Sequence, residues 1–248
     1  MLNIFSGANN HVARRIKETP VLEAPFQHCI IDDVLPEAVF NSIHDHWPDD
    51  SVLLSLNETG RTTKYKERFV MLLEDEFFNK LNSTDQKFWV DVGLTVMGSQ
   101  VVTACYEKFK KLLDGRLPRQ NRTFNLNPEM LVVSDRNNYQ IGPHTDTEWR
   151  FMSLLYYLSP DPKYHSYGTC LYEPKDSAIE VNHKRHYEFQ DFNLHSRIDY
   201  KPNRLVLFPR TNSSFHGVEP VAVPNCDRRL IIVNIRTPEE AMLDFDES

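Results

Sequence analysis

The chain has 248 residues, with 28 Lys and Arg against 35 Asp and Glu, so its formal charge is −7. That balance offers no basic excess to displace phosphate counterions, which argues against a general nucleic-acid binder. Apolar residues make up 40% and aromatics 11% of the chain, enough for one sizeable core, and the reading expects no membrane association.

Cys29, Cys105, Cys170 and Cys226 are scattered, with no paired spacing. In a chain of this length they read as free thiols, without a disulfide framework or a structural zinc. The N-terminal twenty residues lack the apolar stretch of a secretory signal. A cytoplasmic location is therefore expected.

Residues 1–24 are polar and mixed and read as an arm. Phe26 to Ile31 has strand character, and Pro36 then suits a helix start, where its missing N–H costs nothing. Val39, Phe40, Ile43 and Trp47 recur at helical spacing. Residues 51–70 look irregular. Between Asp75 and Leu113 the pattern is helical in pieces, clearest where Val101, Val102, Cys105, Phe109 and Leu112 share one face. After Asn127 the character changes. EMLVVSD, FMSLLYYLS, GTCLYEP, NRLVLFPR and RRLIIVNIR are short apolar runs punctuated by Pro, Gly, Asn or Asp, as strands separated by turns should be. Helices followed by many strands predict an α+β chain, mainly β, with helices on one face of a sandwich or barrel. The expected organisation is a single domain over 1–248. A strand and supporting helices occupy about 25–126, a β-core about 127–236, and an acidic tail 237–248.

IGPHTDTEWR places His144 and Asp146 two apart at the end of a strand-like run. Residues i and i+2 of a strand face the same side. An imidazole and a carboxylate there can supply two ligands of a facial triad, which a distant histidine would complete. The pair alone means little, since about 0.7 His-x-Asp pairs are expected by chance from this composition. His186 and Glu188 form a rival pair. The order of the remaining residues favours His144 and Asp146. Seventy residues after Asp146 comes His216, following the strand RLVLFPR, and twelve further on comes Arg228, opening RRLIIVNIR. A guanidinium at the mouth of an apolar strand requires a partner, and a carboxylate is the natural one.

In this ordered set the chain resembles the Fe(II)/2-oxoglutarate-dependent oxygenases, especially the prolyl 4-hydroxylase-like branch. PFQHCIIDDVLPEAVF is similar to that branch's N-terminal strand and helix, and GPHTDTEWRFMSLLYYLSPD to its proximal metal segment. YGTCLYEP is similar to the next core strand, and RLVLFPRTNSSFHGVEPV with RRLIIVNI to its distal segment. The resemblance implies a double-stranded β-helix, or jelly roll, with helical support. It implies Fe(II) held by His144, Asp146 and His216, with 2-oxoglutarate anchored by Arg228 or, in the alternative register, Arg229. The small polar residue that often follows two positions after the arginine is absent, Leu230 or Ile231 standing there.

The reaction implied is hydroxylation of an unactivated C–H bond with O2, releasing succinate and CO2, with ascorbate in a supporting role. Asp146 stands where related halogenases carry a small residue, which favours hydroxylation. Desaturation, demethylation or ring formation at the same centre is an alternative, as is a non-catalytic jelly-roll binding module. Tyr139 is a candidate for the co-substrate. Arg150, Arg210 and Asn234 are candidates for the substrate, each with an ordinary structural role as the competing explanation. The substrate itself, small-molecule or peptidyl, and the oligomeric state are not encoded in any motif, and the segments expected to select the substrate, 51–70 and 173–190, carry none. Between the two arginines, adjacent side chains on a strand face opposite sides. The preferred register puts Arg228 inward with Leu230, Ile232 and Asn234, and Arg229 outward with Ile231 and Val233.

Overall fold

A computed structural model describes residues 3–73, 78–114, 126–136, 138–176, 179, 181 and 186–237. Beyond Thr237 the acidic tail lies outside the described residues, as does part of the 173–190 segment. Among the described residues five helices precede most of the strands: α1 (Ala8–Glu18), α2 (Glu37–Asp45), α3 (Ser83–Met97), α4 (Ser99–Lys108) and α5 (Lys110–Leu113). The strands are β1 (Cys29–Ile31), β2 (Leu54–Ser55), β3 (Arg68–Leu72), β4 (Asn127–Asp135), β5 (Ile141–His144), β6 (Arg150–Tyr157), β7 (Cys170–Pro174), β8 (Phe192–Arg197), β9 (Arg204–Pro209), β10 (His216–Val218) and β11 (Arg228–Arg236). They form a seven-stranded sheet, ordered β1-β9-β6-β11-β4-β3-β2, and a four-stranded sheet, ordered β5-β10-β7-β8. All the pairings are antiparallel. The fold is a double-stranded β-helix with helical support.

Strand periodicity divides the large sheet into two working faces. On β11, Ile231, Val233 and Ile235 are buried with Met130 and Val132 of β4 and Leu154 and Tyr156 of β6 in a core shared with the helices. That core takes Val12 and Ile16 from α1, Val39 and Ile43 from α2, and Trp89, Val92 and Val96 from α3. On the opposite face, Leu131, Val133, Tyr157, Val206, Phe208 and Leu230 look toward the small sheet. The volume between the sheets is where the candidate site lies.

Three expectations need correction. Residues 1–24 are more than an arm. They contain α1, whose Ala8, Val12, Ala13 and Ile16 fall at helical spacing and are buried. Residues 51–70 are not simply irregular, because Ser55 and Leu54 pair with β3, and β3 pairs with β4 over five residues. β8 was not foreseen, since an edge strand reading FNLHSR, exposed along most of its length, has no apolar run to betray it. The helical run Ser83–Lys108 is long and apolar enough by composition to cross a membrane, and half of its most apolar 18-residue stretch is buried inside the protein.

Candidate metal and co-substrate site

β5 and β10 bring the first elements of the site together. His144 ends β5, His216 begins β10, and the two are cross-strand partners in the antiparallel register. Directly opposed residues project to one face, and the two rings stand 4.3 Å apart between centroids. Each ring's Nδ1 is committed to a backbone carbonyl, that of Gly142 at 2.9 Å for His144 and of Ser214 at 3.0 Å for His216. With Nδ1–H donating to the chain, Nε2 of each ring remains as the basic nitrogen, which is how metal-binding histidines are oriented. The Nε2 of His216 lies 3.9 Å from Oδ1 of Asp146. One donor atom from each of His144, Asp146 and His216 can be chosen so that all lie within 4.8 Å of one another.

Asp146 is 3% exposed and carries two partners. Ser153 of β6 donates its hydroxyl to Oδ2 at 2.6 Å, and Arg150 donates to Oδ1. Burial alone would raise the Asp146 pKa, but Arg150, His216 and His144 hold it well below the usual carboxylate range. Burial, together with His216, lowers the His144 pKa to about 3. Two imidazoles with Nε2 inward and a carboxylate at this spacing are a donor set that fits a divalent first-row metal.

Deeper in the same cavity, β4 ends at Asp135, opposite Arg228 of β11 and Arg68 of β3. Its fully buried carboxylate receives Nη1 of Arg228 at 2.5 Å, and Nε and Nη2 of Arg68 at 2.6 and 3.0 Å. Arg228 also donates Nε to the Tyr167 carbonyl at 2.8 Å, and its guanidinium lies 4.9 Å from the Tyr200 ring centre. Two guanidiniums sharing one carboxylate leave an excess positive charge in a buried place. Arg68 lies over the Tyr139 ring at 4.1 Å. The Tyr139 side chain is 1% exposed, and its hydroxyl is buried without a hydrogen-bond partner. A buried orphan hydroxyl beside surplus cationic charge needs a ligand, and a carboxylate such as the far one of 2-oxoglutarate fits.

Arg228, Tyr139, Arg150 and Asn234 all line this cavity of about 780 Å³ with His144, Asp146 and His216. Arg229 is on the other face of the sheet, paired with Asp227 at 2.8 Å and lying over Trp47 at 4.8 Å. Its neighbours Ile231 and Val233 pack under the helices and do not face solvent. Arg210 requires correction as a substrate candidate. It is 3% exposed, donates Nε to the Asp146 carbonyl at 3.3 Å, and does not line the cavity, because β9 delivers it behind the metal-ligand segment.

Several cavity residues escaped the sequence reading. Arg68 and Ser153 gave no local signal, since both belong to the site only through strand pairing. His186, set aside with its rival pair, also lines the cavity, with its ring 4.5 Å from that of His144, while Glu188 is exposed. Tyr65 bonds to the His186 ring, and burial, with Lys64 and His216 nearby, lowers the His186 pKa to about 4. Gly142 is what allows this approach. A Cβ there would meet the Tyr187 carbonyl oxygen at 2.2 Å, whereas the glycine lets Tyr187 N–H donate to the Pro143 carbonyl at 2.8 Å.

A jelly roll with a His-x-Asp…His constellation between its sheets is an arrangement that can hold a non-haem metal ion. Residues 130–236 match the family model of the 2OG-Fe(II) oxygenase superfamily. The family implies Fe(II), 2-oxoglutarate and O2. No curated protein matches by sequence. Among solved structures the chain is similar to a prolyl hydroxylase from Trichoplax adhaerens in complex with a hypoxia inducible factor peptide fragment, at 15% identity and a TM-score of 0.52, covering 92% of this chain and 88% of that one. A Pseudomonas putida prolyl-4-hydroxylase gives 13% identity and a TM-score of 0.52, covering 92% and 99%. The epimerase SnoN from nogalamycin biosynthesis gives 8% identity and a TM-score of 0.50, covering 92% and 80%. These likenesses are of fold.

Proposed function

We propose that this chain is an Fe(II)- and 2-oxoglutarate-dependent oxygenase that hydroxylates an unactivated C–H bond of a small-molecule or peptidyl substrate, with decarboxylation of 2-oxoglutarate to succinate and CO2. The observation that carries the reading is one cavity holding both parts of the machinery. The His144, Asp146, His216 donor set sits at one level, and the orphan Tyr139 hydroxyl with the Arg228–Asp135–Arg68 cluster at another. When bound, Fe(II) would supply the activation of O2 that no side chain can perform.

The chain's own residues do the rest. The Gly142 and Ser214 carbonyls fix the two imidazoles with Nε2 inward. Ser153 and Arg150 hold Asp146 ionised and orient its oxygens. Arg228 would hold the far carboxylate of the co-substrate, with Tyr139 donating its hydroxyl proton as a hydrogen bond. Leu131, Val133, Leu230 and Ile232 provide an apolar wall that excludes water. Asp146 as the third ligand supports hydroxylation over halogenation. The SnoN likeness supports keeping a second oxidative outcome in view, in which the position of the substrate sets its fate once hydrogen is removed. Ascorbate would act as a supporting reductant. The four free, buried cysteines support a reducing, cytoplasmic location.

The test is succinate release from 2-oxoglutarate with Fe(II) and ascorbate, and anaerobic Fe(II) titration of His216→Ala. Wild type should release succinate slowly without substrate, and the variant should lose metal affinity while keeping its fold. Unchanged Fe(II) affinity in the variant would defeat the assignment.

A further inference from the structure

The cavity wall is unexpectedly cationic for a chain of charge −7. Among the described residues Arg61, Lys64, Arg68, Arg150, Arg228 and Arg236 line it, with Asp146 as the one lining carboxylate. These cations are arranged with a repeat. β4 and β11 run side by side with Asp135 opposite Arg228 at one end and Glu129 opposite Asn234 at the other. Glu129 and Asp135 have the same parity, so both carboxylates belong to the cavity face, about 20 Å apart at roughly 3.3 Å per residue. Between them lies an apolar floor of Leu131, Val133, Leu230 and Ile232.

Each end carries one carboxylate and two arginines. At the inner end Asp135 is shared by Arg228 and Arg68. At the outer end Glu129 takes Nη1 and Nη2 of Arg61 at 3.1 and 2.5 Å, and Nη2 of Arg236 at 2.6 Å. The outer end is the rim: the Arg61 and Arg236 side chains are 35% and 32% exposed. It also adjoins the metal ligands, because Ser153, which bonds Asp146, is the cross-strand partner of Asn234, and Arg150 is that of Arg236.

One donor at the outer end is unmet: Nε of Arg236 is shut away from solvent with no hydrogen-bond partner. Burial, with Arg150 and Arg61 close by, also lowers the Arg236 pKa despite Glu129.

We propose that the substrate oxidised here carries a fixed anionic group, a carboxylate or a phosphate monoester, which docks on Arg61 and Arg236 at the cavity mouth with Asn234 beside it. The inference rests on the oxygenase reading and names the substrate class of that site. The inner pair anchors the co-substrate's negative end, and the outer pair anchors the substrate's, so that the intervening substrate carbon is suspended near the metal. Planar guanidiniums in a pair match both kinds of anion bidentately.

The probe is inorganic phosphate, small enough to enter any such site. The full chain is loaded with Mn(II), which is redox-silent, and saturating 2-oxoglutarate, and phosphorus-31 relaxation is followed as phosphate is added. Saturable, Mn(II)-dependent relaxation is expected in wild type. Affinity should fall about tenfold or more in Arg61→Gln and Arg236→Gln, since each loses a charged hydrogen bond. Arg236→Lys should recover part of it, and Arg229→Gln, on the other face of the sheet, should match wild type.

Displacement of phosphate by acetate or propionate, compared with displacement by methyl phosphate, ranks carboxylate against phosphate monoester as the natural group. Non-saturable relaxation, or equal affinity in all four variants while Mn(II) and 2-oxoglutarate bind normally, overturns the anionic-substrate proposal alone. Failure of wild type to bind Mn(II) or 2-oxoglutarate overturns the oxygenase reading, and this proposal with it.

Discussion

Replacing Arg228 with Met removes one of the two guanidiniums on Asp135, and so one of the two inner cations of the cavity. The Arg228 and Asp135 side chains are 1% and 0% exposed. Stripping a partner from such a pair typically costs about 3–5 kcal/mol. Here Arg68 still holds both Asp135 oxygens, so the stability loss should fall near the lower bound. For 2-oxoglutarate the loss is one charge-assisted anchor, about 1.5–3 kcal/mol, which at about 1.4 kcal/mol per decade weakens binding by roughly ten- to 150-fold. Arg229→Met instead removes a pair with Asp227 that is about a third exposed. Pairs of that kind are worth about 0–1 kcal/mol, and nothing on that face reaches the cavity. Calorimetric titration of both Mn(II)-loaded variants with 2-oxoglutarate measures the difference directly. Arg228→Met binding within twofold of wild type, or Arg229→Met being the weaker binder, would refute the assignment of the inner anchor.

Burial sets two further outcomes. Cys29 and Cys105 are 0% exposed; burial pushes the Cys29 thiol up to about 11 and Cys105 higher still. At pH 8 a disulfide reagent should leave both unmodified in the native chain and titrate them in guanidinium, and fast native labelling of either would contradict their placement. His28 is buried with Nδ1 donating to the Phe26 carbonyl at 2.8 Å, and burial lowers its pKa. The unfolded chain therefore takes up this proton first, near 6.5, so the stabilisation is present above that pH and is lost as pH falls toward the lower folded value. The drop in urea midpoint between pH 7.5 and 5 should shrink in His28→Gln, and an unchanged drop would show that His28 does not contribute.

The legible part of the molecule was that in which local pattern and tertiary role coincide. His144, His216 and Arg228 stand at strand ends marked by apolar runs and turn residues, with Asp146 two residues beyond β5, so their order could be read directly. The alternation along RRLIIVNIR gave the correct faces for Leu230, Ile232 and Asn234. Arg68 and Arg61 were illegible because they reach the cavity through pairing of β3 with β4 and through Glu129, neither of which leaves a trace at positions 61–68. Arg210 misled for the opposite reason: proximity to His216 in sequence was taken for proximity to the substrate, whereas the chain turns it behind the metal-ligand loop. His186 was passed over because no His and Arg follow it at the right spacing, but its place beside His144 comes from Gly142, where the absence of a side chain lets a distant segment lie against β5.

Strand β11 belongs to two assemblies at once, and alternate residues answer to different ones. Substitutions at 231, 233 and 235 are judged by volume alone, because only helices and neighbouring strands meet them. Substitutions at 228, 230, 232, 234 and 236 are judged by what the cavity must hold. A lineage can therefore revise its choice of ligand along one edge of the strand while the other keeps the scaffold intact, provided that the strand never gains or loses a single residue. An insertion of one would exchange the two roles and forfeit both.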